Sequence, residues 1–166
     1  MRRMWKSCRT MLAHLQLKDY WIDELVFRDG GGPGPETSES SSLPVPRVEF
    51  GVSQGDEEDG ENFYLVHLRV SAGKAKALKG LPYEFRIGVY GAFTVAPGLS
   101  EDERYRLVHL NGPAMLCGVA RGAIATVTAS GRNGKYILPS INVLAVLKRQ
   151  ERRRAQSTEH EHIVSE

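Results

Sequence analysis

The sequence predicts an α+β fold in which a four-stranded antiparallel sheet carries two C-terminal helices on one face. Three observations lead to this prediction. Apolar residues recur at period two in the first half of the chain, most clearly from Phe85 to Val95. After Ser100 they recur at helical spacing instead. Strands that all precede the helices are typical of an antiparallel sheet with its helices packed on one face.

The first predicted strand begins at Leu15 and ends near Phe27. Its apolar residues change phase around Tyr20 and Trp21, which indicates a bend or a bulge. Residues 28–46 are rich in Gly, Pro and Ser. Burial cannot offset the entropy of ordering such a segment, so a flexible loop is predicted there. The remaining strands are predicted at 48–52, 63–70 and 85–95.

The first helix is predicted to begin at Ser100, because Ser100-Glu101-Asp102-Glu103 has the pattern of a capping box. Gly112-Pro113 must kink or restart this helix, since Pro113 has no N–H to donate. An extended piece is predicted at 135–138 and a last helix from Ser140 to about Arg154, with the tail beyond it disordered. The chain thus divides into a basic N-terminal extension (1–14), one folded domain (15–150) and a flexible C-terminal tail (151–166).

The composition excludes several classes of protein. The 22 Lys and Arg against 20 Asp and Glu give a net charge of only +2, which does not indicate a nucleic-acid-binding protein. Cys8 and Cys117 lie far apart without the spacing of a zinc site, and a reduced cytoplasm is their simplest interpretation. The sequence has neither the apolar core of a signal peptide nor a stretch of roughly 20 apolar residues, so we expect a cytoplasmic protein without membrane insertion.

The sequence also lacks a recognisable catalytic constellation. It contains no GxSxG, P-loop or GxGxxG pattern. His67 and His109 are interpreted as packed or surface residues and Cys117 as an inert buried thiol. His160 and His162 lack a third metal ligand. We therefore predict no enzyme, cofactor or metal; a small-molecule enzyme or binding protein is the less favoured alternative, and it would need an acid or base that the sequence does not identify.

Several segments resemble the export chaperone SecB. In that family a Pro-kinked helix leads through a small turn to a Leu-x-Pro-x-Asn-like start of the last helix. Here the corresponding segments are NGPAMLCGVAR (111–121), Ile124, Gly131 and LPSINV (138–143). LQLKDYWIDELVF (15–27), the loop at 28–46 and FYLVHLRVSA (63–72) resemble the first strand, crossover loop and third strand of the family. The resemblance covers residues 15–148, with the segments in the right order.

The sequence departs from the family at three places. Cys117-Gly118-Val119 stand where the family has an aromatic residue, Pro and Tyr, and Gly122 replaces an acidic residue. The C-terminal segment is basic through Arg152-Arg153-Arg154, whereas the export chaperone ends in an acidic, Gly-rich tail that contacts the SecA motor. The fold therefore carries over better than the partnership with SecA.

The resemblance implies an ATP-independent chaperone, a holdase that binds unfolded or non-native polypeptides and assembles as a homo-oligomer, a dimer of dimers. Protein export with SecA is one role, and a SecB-like chaperone dedicated to one partner such as an antitoxin is the alternative. We expect clients in a groove under the 28–46 loop. Lys74, Lys76, Lys79 and the C-terminal Arg cluster should favour clients with negative charge, so binding should weaken as the salt concentration rises. The candidate groove residues are Trp21, Phe27, Phe50, Tyr136, Ile137 and Leu138, for which the alternative interpretation is plain core packing.

Overall fold

A computed structural model describes residues 12–30, 46–55, 62–73 and 81–164, with the side chains of the last helix described as far as residue 156. The described strands are β1 (Leu15–Asp29), β2 (Arg47–Gln54), β3 (Asn62–Ala72) and β4 (Tyr83–Val95). The described helices are α1 (Glu101–Arg106), a π-helical turn (Leu107–Asn111), α2 (Gly112–Thr128) and α3 (Val143–Val164). Cys8, residues 31–45 of the predicted loop and the three lysines at 74, 76 and 79 lie outside the described residues.

The four strands form one antiparallel sheet in the order β1-β4-β3-β2. The two middle strands alternate between a buried face and a more accessible one: Leu68 and Val70 on β3 are fully buried, whereas Arg69 between them is exposed. Helix α2 packs on the buried face, over β3 and β4. This arrangement confirms the predicted α+β architecture, a four-stranded sheet with C-terminal helices.

The capping box at Ser100 forms as predicted. The Ser100 hydroxyl accepts a hydrogen bond from the Glu103 N–H (3.4 Å), and the Glu103 carboxylate accepts one from the Ser100 N–H (2.9 Å). The predicted interruption at Gly112-Pro113 is also present, and it takes the form of a π-helical turn after which α2 begins. The wider turn accommodates the proline ring, which would otherwise clash with a carbonyl one turn earlier.

Strand β1 contains two register shifts where the sequence suggests one change of phase. Pairing with β4 shifts between Leu17 and Asp19 and again between Ile22 and Glu24. The bulged residues are therefore Lys18 and Asp23, which lie on either side of the predicted point at Tyr20-Trp21.

Helix α3 continues beyond its predicted end. It begins at Val143 and runs to Val164, ten residues past Arg154. The residues from 134 to 142, which include the predicted extended piece, form no helix or strand. The division into an extension, a domain and a tail at residues 14 and 150 stays a prediction.

Candidate functional site

The six residues predicted to line one groove are divided between the two faces of the sheet. Phe27 pairs with Phe85 in the register of β1 and β4, on the face that the helices cover. Phe50 pairs with Leu68 on that same face. Trp21 pairs with Tyr90 and therefore points to the opposite face. The six side chains do not line one continuous groove.

At one end of the helix-covered face, aromatic rings from strands and loop form a cluster. Phe27 contacts Tyr83 with ring centroids 4.7 Å apart, and Phe85 contacts Tyr136 at 5.7 Å. Tyr136 and Leu138 are buried, and burial raises the pKa of the Tyr136 hydroxyl. Ile137 between them is 52% exposed, so it is the loop side chain available to a ligand.

Side chains of α2 hold this loop in place. The hydroxyl of Thr128, fully buried, accepts a hydrogen bond from the Tyr136 N–H at 2.9 Å. The Arg121 guanidinium donates to the carbonyl oxygens of Leu138 (2.8 Å) and Pro139 (3.3 Å). The cluster is therefore fixed from the helix side by buried and half-buried polar contacts.

On the opposite face, a row of rings crosses three strands. Trp21 stacks on Tyr90 with centroids 5.4 Å apart and planes 9° apart, and His67 stacks on Tyr90 at 4.2 Å. Burial lowers the pKa of His67, although the charge of Asp23 acts in the other direction. A neutral imidazole stacked within an aromatic row is consistent with the packing predicted for His67.

Strand β1 is the most apolar exposed element of the described chain. It is an edge strand, and it exposes large apolar side chains on both faces: Tyr20, Trp21, Ile22, Leu25 and Val26. Each of them is between 39% and 51% exposed. A long edge strand with such side chains favours association with another chain.

The other edge of the sheet, at β2, is contacted by side chains of α3. The Gln150 amide pairs with both backbone groups of Phe50: its Nε2 donates to the Phe50 carbonyl oxygen (2.8 Å) and its Oε1 accepts from the Phe50 N–H (3.3 Å). Arg149 donates to the carbonyl oxygen of Val48 at 3.0 Å. Two residues of one helix turn thus occupy backbone positions of the edge strand.

Beside Gln150 is a small pocket between β2, the π-helical turn and α3. It is lined by Phe50, Gly51, Val52, Tyr105, His109, Leu147, Gln150, Glu151 and Arg154. The Tyr105 ring stacks on His109 at 3.9 Å, and its hydroxyl donates to Glu151 at 3.4 Å. Burial lowers the pKa of His109, and its Nδ1 lies 3.0 Å from the Tyr105 carbonyl oxygen.

Among the residues that the structure describes, no group of three or more His, Cys, Asp or Glu side chains could hold a metal ion. Cys117 is buried and its thiol pKa is raised by burial. Within the described ranges no helix is long and apolar enough to span a bilayer.

The β2 edge and its pocket were not predicted from the sequence. Gln150 lies 100 residues from Phe50, and a glutamine on a polar helix gives no local signal of a contact with a strand backbone. Tyr105 and His109 are spaced four residues apart, which places them on one helix face, and that spacing was the available signal.

The chain resembles known proteins more clearly in fold than in sequence. No protein-family model matches the sequence. An uncharacterized protein of Methanocaldococcus jannaschii is 28% identical over 98 residues, which cover 59% of this chain and 63% of that protein. The chain thus matches less than two thirds of the length of that relative.

Several solved structures resemble the chain, and two of them are 12% identical to it in sequence. One is the Mycobacterium tuberculosis SecB-like chaperone Rv1957 in complex with a ChAD peptide from the antitoxin HigA1, with a TM-score of 0.52 over 77% of this chain and 91% of that one. The other is a protein of unknown function from Streptococcus agalactiae, with a TM-score of 0.48 over 76% of this chain and 97% of that one.

Proposed function

We propose that this chain, which has a divergent SecB-like fold, is a chaperone that binds non-native polypeptides without ATP. The observation that carries the proposal is the fold itself, a four-stranded antiparallel sheet with C-terminal helices that is similar to a SecB-like chaperone. The contacts described above add physical support, because they are suited to a ligand made of backbone and apolar side chains.

Non-native polypeptides expose apolar side chains and unpaired backbone N–H and C=O groups, both of which folded proteins mostly hide. The chain offers a partner for each. The exposed Ile137 and the half-buried Phe27 provide apolar surface, and burial of one large apolar side chain there contributes roughly 1.5–3 kcal/mol. The strand edges provide hydrogen-bonding groups for an extended segment.

Suppression of aggregation tests the proposal. A chemically unfolded client is diluted into buffer with increasing amounts of the chain, without nucleotide, and light scattering is followed. We expect scattering to fall in proportion to the chain added, and to be unchanged by an equal mass of serum albumin. Scattering that is indifferent to the chain at equimolar and higher ratios contradicts a general chaperone.

The position of client contacts is a further part of the proposal. We expect clients at the Phe27 end of the helix-covered face, because Ile137 is 52% exposed beside buried Tyr136 and Leu138. A photo-crosslinking amino acid at position 137 should label a bound client, and one at position 21, on the opposite face, is the matched control. Equal labelling from both positions, or labelling from position 21 alone, contradicts client binding at the Phe27 end of the helix-covered face.

A chaperone dedicated to one partner is the second candidate. It is favoured by the peptide complex of the SecB-like neighbour, whose ligand comes from an antitoxin. Affinities for a panel of unrelated unfolded proteins separate the two roles. A holdase binds most of them within about tenfold of one another, which is a spread of about 1.4 kcal/mol, whereas a dedicated chaperone binds one antitoxin or similar partner far more tightly.

Self-association completes the proposed working form. The apolar side chains of β1 and Met115 of α2 are exposed in the isolated chain, and a second copy would bury them as a homodimer or a dimer of dimers. Sedimentation at micromolar concentration measures this directly, and a clean monomer contradicts it.

Export is the less favoured cellular role. The basic run at Arg152-Arg153-Arg154 replaces the acidic tail expected of a SecA-binding chaperone, and these three side chains are exposed on α3. A pull-down with purified SecA, with and without residues 151–166, tests the partnership. We place the chain in the cytoplasm, where such clients emerge from ribosomes, and fractionation of cells expressing it checks that placement.

A further inference from the structure

We propose that helix α3 gates the outer edge of β2, and that an extended client segment binds there by replacing the Gln150 amide. The proposal rests on the polypeptide-binding function, and it adds a second client site, at β2, whose access α3 regulates. It follows from the hydrogen bonds that Gln150 and Arg149 of α3 form with the backbones of Phe50 and Val48.

The backbone of β2 alternates between its two sides. The odd-numbered residues face β3, as Gly55 shows by donating its N–H to the Phe63 carbonyl oxygen at 3.0 Å. The even-numbered residues therefore point their N–H and C=O groups outward. Both observed contacts from α3 fall on this outward set, with Gln150 on Phe50 and Arg149 on Val48.

The Gln150 amide imitates one residue of a neighbouring strand. Its carbonyl oxygen accepts from the Phe50 N–H and its NH2 group donates to the Phe50 carbonyl oxygen, which are the two bonds that a paired strand residue would form. A side chain that satisfies this pair closes the edge against other chains. It also leaves a ready exchange, because a peptide backbone carries the same donor and acceptor.

The pocket beside Gln150 supplies a place for a side chain. Val52, the next outward residue of β2, lines it together with Leu147 and the Tyr105 and His109 rings. A strand added at this edge would direct alternate side chains toward the helix-covered face, where the pocket lies. The edge would bind the backbone, and the pocket, whose lining also includes Glu151 and Arg154, would receive one side chain of the added strand.

These features identify the ligand as an extended polypeptide. A small molecule would not need a regular edge with groups at Val48 and Phe50 as well as a pocket. A client cannot bind this edge while Gln150 occupies it. The measured association constant is therefore the intrinsic one multiplied by the fraction of molecules in which the edge is open.

The first test compares Gln150→Ala with Gln156→Ala, the same substitution at an exposed position of the same helix. The probe is a fluorescent synthetic peptide with alternating valine and phenylalanine, solubilised by terminal lysines. We expect Gln150→Ala to bind it about five- to tenfold more tightly than the unaltered chain, because the peptide no longer displaces two hydrogen bonds, and Gln156→Ala to bind it unchanged. Equal or weaker binding by Gln150→Ala overturns the gate.

The second test uses the unaltered chain, so that it does not depend on the folding of a variant. Peptides N-methylated at alternate residues lose the donors on one side of the strand while keeping their side chains. We expect peptides methylated at one set of alternate residues to bind at least tenfold more weakly, and peptides methylated at the other set to bind as the unmethylated peptide does. Binding that ignores both alternations overturns the edge site and leaves the proposed chaperone function standing.

Two outcomes separate the remaining alternatives. If neither peptide nor unfolded client binds at any concentration used, both the chaperone function and the edge site fail. If Gln150→Ala gains a larger assembly in sedimentation and no affinity for peptide, the edge takes a second copy of this chain, and the assignment of a client segment is wrong.

Discussion

Thr128 gives the sharpest test of how the aromatic cluster is held in place. Its side chain is fully buried, donates to the Ile124 carbonyl oxygen at 2.8 Å and accepts from the Tyr136 N–H at 2.9 Å. Thr128→Val keeps the shape and removes the hydroxyl, so the Tyr136 N–H is left buried without this partner. Such a loss costs about 1–3 kcal/mol.

For a chain of this length, the expected fall in the free energy of unfolding lowers Tm by roughly 2–4 °C for each kcal/mol. The assay is equilibrium unfolding in urea at fixed protein concentration, since self-association would add its own stability. Hydrogen exchange of the Tyr136 amide should accelerate in the same variant.

Thr128→Ser is the matched control, because it keeps the hydroxyl and removes one methyl group at about 0.8 kcal/mol. We expect Thr128→Val to be the less stable of the two. If Thr128→Val is as stable as the unaltered chain and Thr128→Ser is not, methyl packing holds the loop and the hydrogen bond does not.

Three further outcomes are expected. Ile22→Glu should shift the assembly toward monomer in sedimentation, whereas Lys135→Glu should not, because a charge at the exposed apolar edge of β1 resists burial between two copies. Burial lowers the pKa of His109 below 6.5, so the free energy of unfolding should fall as the pH drops below about 6.5 toward the folded pKa. His109→Gln should reduce this pH dependence in urea titrations. Part of the dependence should remain in that variant, because burial also lowers the pKa of His67. Ser100→Ala should lower the free energy of unfolding by about 1 kcal/mol through loss of the helix cap, and an unchanged urea midpoint would contradict this.

The architecture was predictable because its signals are local. Alternation in β3 and β4 and the capping box at Ser100 each depend on neighbouring residues, and the structure confirms them. The restart of the helix at Gly112-Pro113 was predictable for the same reason, since the missing N–H of proline acts within one turn. The end of α3 was missed, because a polar sequence without a clear stop signal gives little indication of where a helix ends.

The candidate site was less predictable, because it depends on register and on distant contacts. The bulge at Asp23 lies between Trp21 and Phe27 and places them on opposite faces, which the apolar character of the two residues does not reveal. The contact of Gln150 with Phe50 joins elements that are remote in sequence, and it depends on how α3 lies against the sheet.

The two bulges of β1 also decide where this strand can change its length. The register with β4 shifts by one residue at Lys18 and again at Asp23, so removing Lys18 would leave each remaining residue opposite the β4 residue it faces now. Removing Trp21 would instead shift every residue on one side of the gap by one position and exchange its face. Insertion and deletion in this edge strand should therefore be tolerated at the bulges and rejected between them, which makes the bulges the natural points at which related chains could differ in length.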